Sequence, residues 1–368
     1  MPRSRKRIIC ESLDKITAAG TSRDKRSSLG GAVGDALGAP VEFQRFRDIV
    51  NRFGPQGISE FAPAYGRLGA ITDDTQMTLF TAEGLLRGQV RWVNKGICHL
   101  PSVVHRAYLR WLKTQGESPD QLQISVQSDG WLINVRERWS RRAPGVTCLS
   151  ALRETNDLGE PASNNSKGCG GVMRIAPVGL AARPEMTFQI GSELAALTHG
   201  HPSGYLSAGY LALVIGQILN GSSLSDAIET SKAALIEQPN HEEVLAAIEV
   251  AQHEARSVKH QAVSEQILGE GWTAEEALSI ALYSSLVGRN FEKAVSIAVN
   301  HSGDSDSTGA ITGNICGVIY GVEAIPGHSL NQLEMREQIT AIALDLLALS
   351  NGTLDEESER TWERYPGY

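Results

Sequence analysis

Glycine returns every fourth residue in two widely separated stretches of this chain. Gly30, Gly34 and Gly38 lie near its start, and Gly309, Gly313, Gly317 and Gly321 near its end. On a helix, residues four apart share a face. A row of glycines strips that face of Cβ atoms, so a second backbone can come into contact with it. The same spacing supports pairing of membrane helices. These segments are short and carry Asp35 and Asn314, however, so close packing around a central site is the better account.

Elsewhere apolar residues recur at intervals of three and four, seldom two, which is a helical pattern. The run after Asp74 reads as a helix ending at Gly88. Further helices are expected over 192–198, 205–219, 224–236, 242–260, 274–286, 291–299, 310–322 and 335–349. Start signals stand at Ser223 or Ser225 and at Thr273-Ala-Glu-Glu. Two loop-rich stretches, about 54–69 and 143–171, interrupt the pattern. Hydrophobic residues make up 41% of the 368, enough for a sizeable core, while aromatics are only 6%. An all-α fold of many short helices follows, in one large or two modest domains.

Two acidic clusters carry the chemistry. One is Thr72-Asp73-Asp74-Thr75, the other Gly303-Asp304-Ser305-Asp306-Ser307-Thr308, and each precedes an apolar, helix-like run. Taken singly, each reads as a helix cap. The second also resembles a calcium loop, with Asp304, Asp306 and Thr308 at positions 1, 3 and 5. Position 12 is Ile315 where a bidentate Glu is required, so that reading fails. Taken together they read better as a site for two hard divalent cations, because four neighbouring carboxylates repel one another strongly unless cations intervene.

Two weaker signals accompany them. The stretch from Ser163 to Arg174 gathers small hydroxyls, amides and three glycines, and suits a phosphate or a plain loop about equally. It fits neither a Walker A pattern nor G-x-G-x-x-G. His199 and His201 sit two apart without a third imidazole or a cysteine nearby, so zinc is not expected. The five cysteines are scattered, with no C-x-x-C, which favours a reducing cytoplasm over a disulfide framework. No signal peptide or membrane span is legible. A net charge of −8 argues against nucleic acid as a partner.

The order of the segments is itself distinctive: 34–42 (Gly-Asp-Ala-Leu-Gly-Ala-Pro-Val-Glu), 72–75, 167–174, Thr198-His199, then 303–310. In this it resembles the ADP-ribosylglycohydrolase family over roughly residues 29–350. The resemblance implies an all-α domain with a central binuclear magnesium cleft, manganese being an alternative metal, in which ADP-ribose lies across the ions. It places Thr72, Asp73, Asp74, Asp304, Asp306 and Ser307 as metal ligands, with Glu42, Asp73 and Asp304 as the catalytic carboxylates. Ser166, Lys167, Gly168, Gly170, Gly171 and His199 would contact the ADP-ribose. Many members carry Thr where Ser307 stands; Thr308 follows, and either hydroxyl could coordinate.

The implied function is a metal-dependent hydrolase that removes ADP-ribose from modified proteins, with arginine the favoured linkage. Residues 1–28 are a different matter. They hold eight Lys/Arg against three acidic residues, a net of +5 that leaves −13 for 29–368. This basic arm reads either as a solvated tail or as a helix that docks into an ADP-ribosyltransferase toxin, which would make the chain an immunity protein. A protein that acts mainly by occluding the toxin is the rival reading, and a dinuclear phosphohydrolase a third.

Overall fold

The computed structural model describes residues 24–119, 128–135, 139–257 and 263–367. Residues 1–23 of the expected arm lie outside that set. Residues 24–28 already belong to the first helix, where Ser27 is buried and its Oγ donates to the carbonyl of Asn314 at 3.1 Å.

Among the described residues seventeen α-helices succeed one another. They begin with α1 (Asp24–Gly38), α2 (Phe46–Phe53), α3 (Asp73–Lys95), α4 (Leu100–Thr114), α5 (Val146–Arg153) and α6 (Ala176–Ala181). The middle of the chain gives α7 (Pro184–Ala196), α8 (Pro202–Leu219), α9 (Leu224–Ile236), α10 (Glu242–Ala255), α11 (Glu265–Leu268) and α12 (Ala274–Val287). The last five are α13 (Phe291–Val299), α14 (Ser305–Tyr320), α15 (Gly327–Gln332), α16 (Arg336–Ser350) and α17 (Glu359–Arg364). Among the described residues extended pairing is confined to two isolated bridges, Ala64 with Arg67 and Gly168 with Thr273. The all-α expectation holds.

Local sequence explains several of the helix starts. Thr72 caps α3 by accepting from the Asp74 N–H, and Ser223, Asn290, Asp304 and Ser358 cap α9, α13, α14 and α17 in the same way. Two expectations need correcting. Gly88 does not end α3, which continues to Lys95 and closes on Gly96 in the left-handed region at φ 69°. A Cβ at Gly88 would lie 2.6 Å from Leu100 Cδ1, so this glycine admits the start of α4. The supposed loop 143–171 contains α5, whose buried Cys148, Leu149 and Leu152 form an apolar face too short to stand out in a sequence window.

The two glycine rows face each other. A Cβ on Gly30, Gly34 or Gly38 of α1 would run into the backbone of Gly313, Gly309 or Ser305 of α14, and one on Gly309 or Gly313 would meet Gly34 or Gly30. The helices therefore touch backbone to backbone. Around this pair the buried side chains form one continuous core, with α8 enclosed almost throughout, from Leu206 to Ile218. The end of α1 and the start of α14 are thereby pinned side by side, and both acidic clusters open there.

Candidate metal centre

Asp35, on the face of α1 next to the glycines, is fully buried. It accepts from the Thr72 N–H at 3.1 Å, the Thr72 hydroxyl at 2.9 Å, the Thr75 N–H at 3.2 Å and the Thr75 hydroxyl. One carboxylate thus fixes the first turn of α3. Gly145 N–H reaches Asp73 Oδ2 at 3.2 Å from the other side. On α14 the N–H of Ser307 donates to Asp306 Oδ1 at 3.0 Å and to Asp304 Oδ1 at 3.4 Å. The turn after α1 carries Glu42.

These elements enclose a cavity of about 300 Å³ lined by Glu42, Asp73, Asp74, Asp304, Asp306 and Ser307. Carboxylate oxygens of Glu42, Asp304 and Asp306 all fall within 4.8 Å of one another. The two distant clusters do converge.

The electrostatics are severe. Burial, then the charges of Asp306, Asp304 and Asp73, pushes Glu42 up to about 11. Burial and Asp306 likewise hold Asp73, Asp74 and Asp304 well above the usual carboxylate range, and Asp35 is raised to about 7 for the same two reasons. Among the described residues no Lys or Arg lines the cavity. Glu42 Oε2 and Asp74 Oδ1 are buried and accept no hydrogen bond. Such oxygens are costly to keep. Hard divalent cations would satisfy them, so the donor set fits magnesium or manganese.

The other expected residues divide. Thr72 lies behind the cavity, its hydroxyl shared between Asp35 and the Asp74 carboxylate. Of the two candidate hydroxyl residues, Ser307 and Thr308, Ser307 lines the cavity. The Thr308 hydroxyl turns inward to the carbonyls of Ala298 (2.8 Å) and Asp304 (2.9 Å) and to His301 Nε2 (3.0 Å). Gly168, Gly170 and His199 line the cavity. A Cβ on Gly170 would lie 2.7 Å from Cys148 Sγ and 3.0 Å from His199 Cε1, so the loop needs glycine there. Burial and the Arg174 charge lower His199 to about 3, leaving a neutral ring whose Nδ1 meets the Thr198 hydroxyl at 2.8 Å. Ser166, Lys167 and Gly171 do not line the cavity. Ser166 Oγ meets Thr147 at 3.0 Å, Gly171 packs under the loop against Ala195, and the Lys167 ammonium turns away to Glu275 (2.8 Å) and Glu243 (3.2 Å).

Four residues not anticipated also belong here. Asp35 shapes α3, and Cys169 donates its thiol hydrogen to Asp304 Oδ2 at 2.8 Å. Phe43 and Trp272 line the cavity while partly exposed. Asp35 and Cys169 were visible inside quoted motifs, but nothing in the sequence ties them to the acidic clusters. Only the fold pairs Phe43 with Trp272.

Comparison with known proteins agrees with this architecture. The family model for ADP-ribosylglycohydrolase matches residues 18–355. The chain is 26% identical to "ADP-ribosylarginine hydrolase Tri1" of Serratia proteamaculans (strain 568), over 92% of this chain and 81% of that one. It is also 26% identical to "ADP-ribosyl-[dinitrogen reductase] glycohydrolase" of Rhodospirillum rubrum, over 84% of this chain and 89% of the relative. A solved "ADP-ribosylglycohydrolase-related protein complex" superposes with a TM-score of 0.65 at 28% identity, covering 90% of this chain and 99% of that one.

Proposed function

The chain belongs to the ADP-ribosylglycohydrolase family, and we propose that it is a metal-dependent hydrolase that frees ADP-ribose from modified proteins, with arginine as the linked residue. One observation carries the reading: five carboxylates from three segments line a single cavity with no Lys or Arg among the described lining, and two of their oxygens are buried without a partner. The names of the two relatives support ADP-ribose removal, and the first supports arginine.

Asp73, Asp74, Asp304 and Asp306 would hold two divalent ions, with the Ser307 hydroxyl facing them and Thr72 behind. Bound magnesium or manganese would orient ribose hydroxyls and make water a better nucleophile. The chain's own residues do the rest. Asp35 holds the first turn of α3 in place. With cations bound to keep them ionised, Glu42 and Asp304 would be the carboxylates that accept a proton from water or from a ribose hydroxyl. The glycines at 168 and 170 let backbone approach the diphosphate closely. The neutral His199 ring closes the floor beneath it. In the net reaction the bond from ribose C1″ to the acceptor nitrogen breaks, the water oxygen joins C1″, and the proton goes to the departing guanidino group.

The test uses arginine-, serine- and cysteine-linked ADP-ribosyl proteins, with magnesium or with EDTA. Release of intact ADP-ribose from the arginine linkage, abolished by EDTA, is expected. Free phosphate would select the phosphohydrolase reading, and no release from any linkage would sink the proposal. An ADP-ribosyltransferase toxin is the natural counterpart of such an enzyme, and the basic arm is the segment to contact it. Removing residues 1–23 should then abolish tight toxin binding and spare hydrolysis; unchanged binding would dismiss the arm, while protection that survives Asp304→Ala would favour the rival reading of occlusion.

A further inference from the structure

Phe43 and Trp272 stack on each other with ring centroids 5.3 Å apart and planes at 22°. A stacked aromatic pair that serves packing alone is normally buried. Here Phe43 is 67% exposed and Trp272 37% exposed, and both line the acidic cavity. Phe43 also holds a left-handed backbone at φ 64°, which a bulky side chain seldom adopts. Such strain persists only where surrounding structure enforces it.

The enforcing contacts point to the metal end of the cleft. Phe43 follows Glu42 in sequence, and its N–H donates to the carbonyl of Gly303, next to Asp304, at 3.3 Å. The Trp272 carbonyl accepts from Cys169 N–H at 3.1 Å. Its indole N–H reaches the exposed Glu270 carboxylate at 3.2 Å, and the Glu270 carbonyl accepts from Asp304 N–H at 2.9 Å. The rings are thus tied to the segments that carry the reactive carboxylates. Five carboxylates line the cavity and, among the described residues, no Lys or Arg does. An open aromatic face edged with carboxylates attracts a planar cation, and guanidinium stacks on such a face while its edge finds carboxylate oxygens.

We propose that Phe43 and Trp272, flanked by Glu270, receive the guanidinium of the departing arginine and so set which linked residue the enzyme accepts. This rests on the function proposed above and deepens it. A nucleobase would also stack on the rings. It is uncharged, however, and belongs to the end of ADP-ribose remote from the bond that breaks, so the negative surroundings favour the cation.

Trp272→Ala, Phe43→Ala and Trp272→Phe are compared with the wild type on arginine- and serine-linked ADP-ribosyl peptides. Calorimetric binding of agmatine and of ADP-ribose is measured beside them. In Trp272→Ala, kcat/KM for the arginine linkage and agmatine affinity should both fall on the order of tenfold, with Trp272→Phe intermediate and ADP-ribose affinity within about twofold. An equal fall in ADP-ribose affinity would show the rings stacking on adenine and overturn the assignment, as would agmatine binding that ignores both alanine changes. Wild-type protein that binds agmatine through these rings yet leaves the arginine bond intact would overturn the proposed function and not the receptor. Both side chains are exposed, so the variants should fold normally, which melting curves verify.

Discussion

At the scale of single residues, the site shows how two neighbouring hydroxyls can have separate duties. Ser307 looks into the cavity, while Thr308 is spent on carbonyls and His301. Ser307→Ala should therefore weaken magnesium binding by about tenfold at nearly unchanged stability, whereas Thr308→Ala should cost about 1 kcal/mol of stability and spare metal affinity. Titration with magnesium and urea denaturation of both variants would separate the two. Glu42→Gln would remove the proposed proton acceptor while keeping its shape, so kcat should drop by roughly 10²–10⁴ with ADP-ribose affinity retained. His105 offers a pH signature outside the acidic cavity. Burial, then the charge of Arg174, lowers it to about 4. Between that value and the unfolded value of about 6.5, the unfolded chain binds a proton that the fold refuses. The associated stability is complete above about pH 6.5 and fades as pH falls through the window, by up to about 3 kcal/mol near pH 4. His105→Gln should flatten that slope relative to the wild type in urea titrations from pH 4 to 8. The acidic clusters were legible in the sequence because each is contiguous and doubles as a helix start. Asp35 was not, since its four hydrogen bonds reach about forty residues along the chain.

At the scale of elements, the contact of α1 with α14 depends on what is missing. Gly34→Val would push a branched side chain into the Gly309 carbonyl, part of a backbone that cannot step aside. A loss of about 3 kcal/mol or more, or failure to fold, is expected from urea midpoints. Gly327→Ala is the contrast: nothing lies within 4 Å of a Cβ there and the residue opens α15, so the change should stay within about 0.5 kcal/mol. The glycine rows announced a flat helical face, and periodic spacing gave α9 and α13 to the residue. It did not reveal that the two rows are each other's partners, because a periodic pattern specifies a face and not what covers it. Short helices such as α5 and α6 escaped for another reason. One or two turns give too few repeats to rise above chance. The omission of α4 has no such excuse: Val104, Ala107, Tyr108, Trp111 and Leu112 repeat at helical intervals and are all buried.

At the scale of the whole molecule, the centre is assembled from the turn after α1, the start of α3, the segment at Gly145, the loop at Gly168–Gly170 and the start of α14. Ions bridging these segments would stabilise the folded state alone, by about 2.7 kcal/mol at a hundred times the dissociation constant. Manganese or magnesium should raise Tm, EDTA should reverse the rise, and the double change Asp304→Ala with Asp306→Ala should erase it. Melting curves without added metal supply the baseline. Among the described residues no helix is long and apolar enough to cross a membrane. The meeting of α1 with α14 has a further consequence, for synthesis. Residues 30–38 wait for partners numbered 305–313, which a ribosome adds on the order of tens of seconds later. Through that interval the nascent polypeptide can own neither the flat helix pair nor an ion-holding crevice. A stalled chain lacking its last quarter should therefore be inert, and its glycine-bare first helix a surface for chaperones to guard.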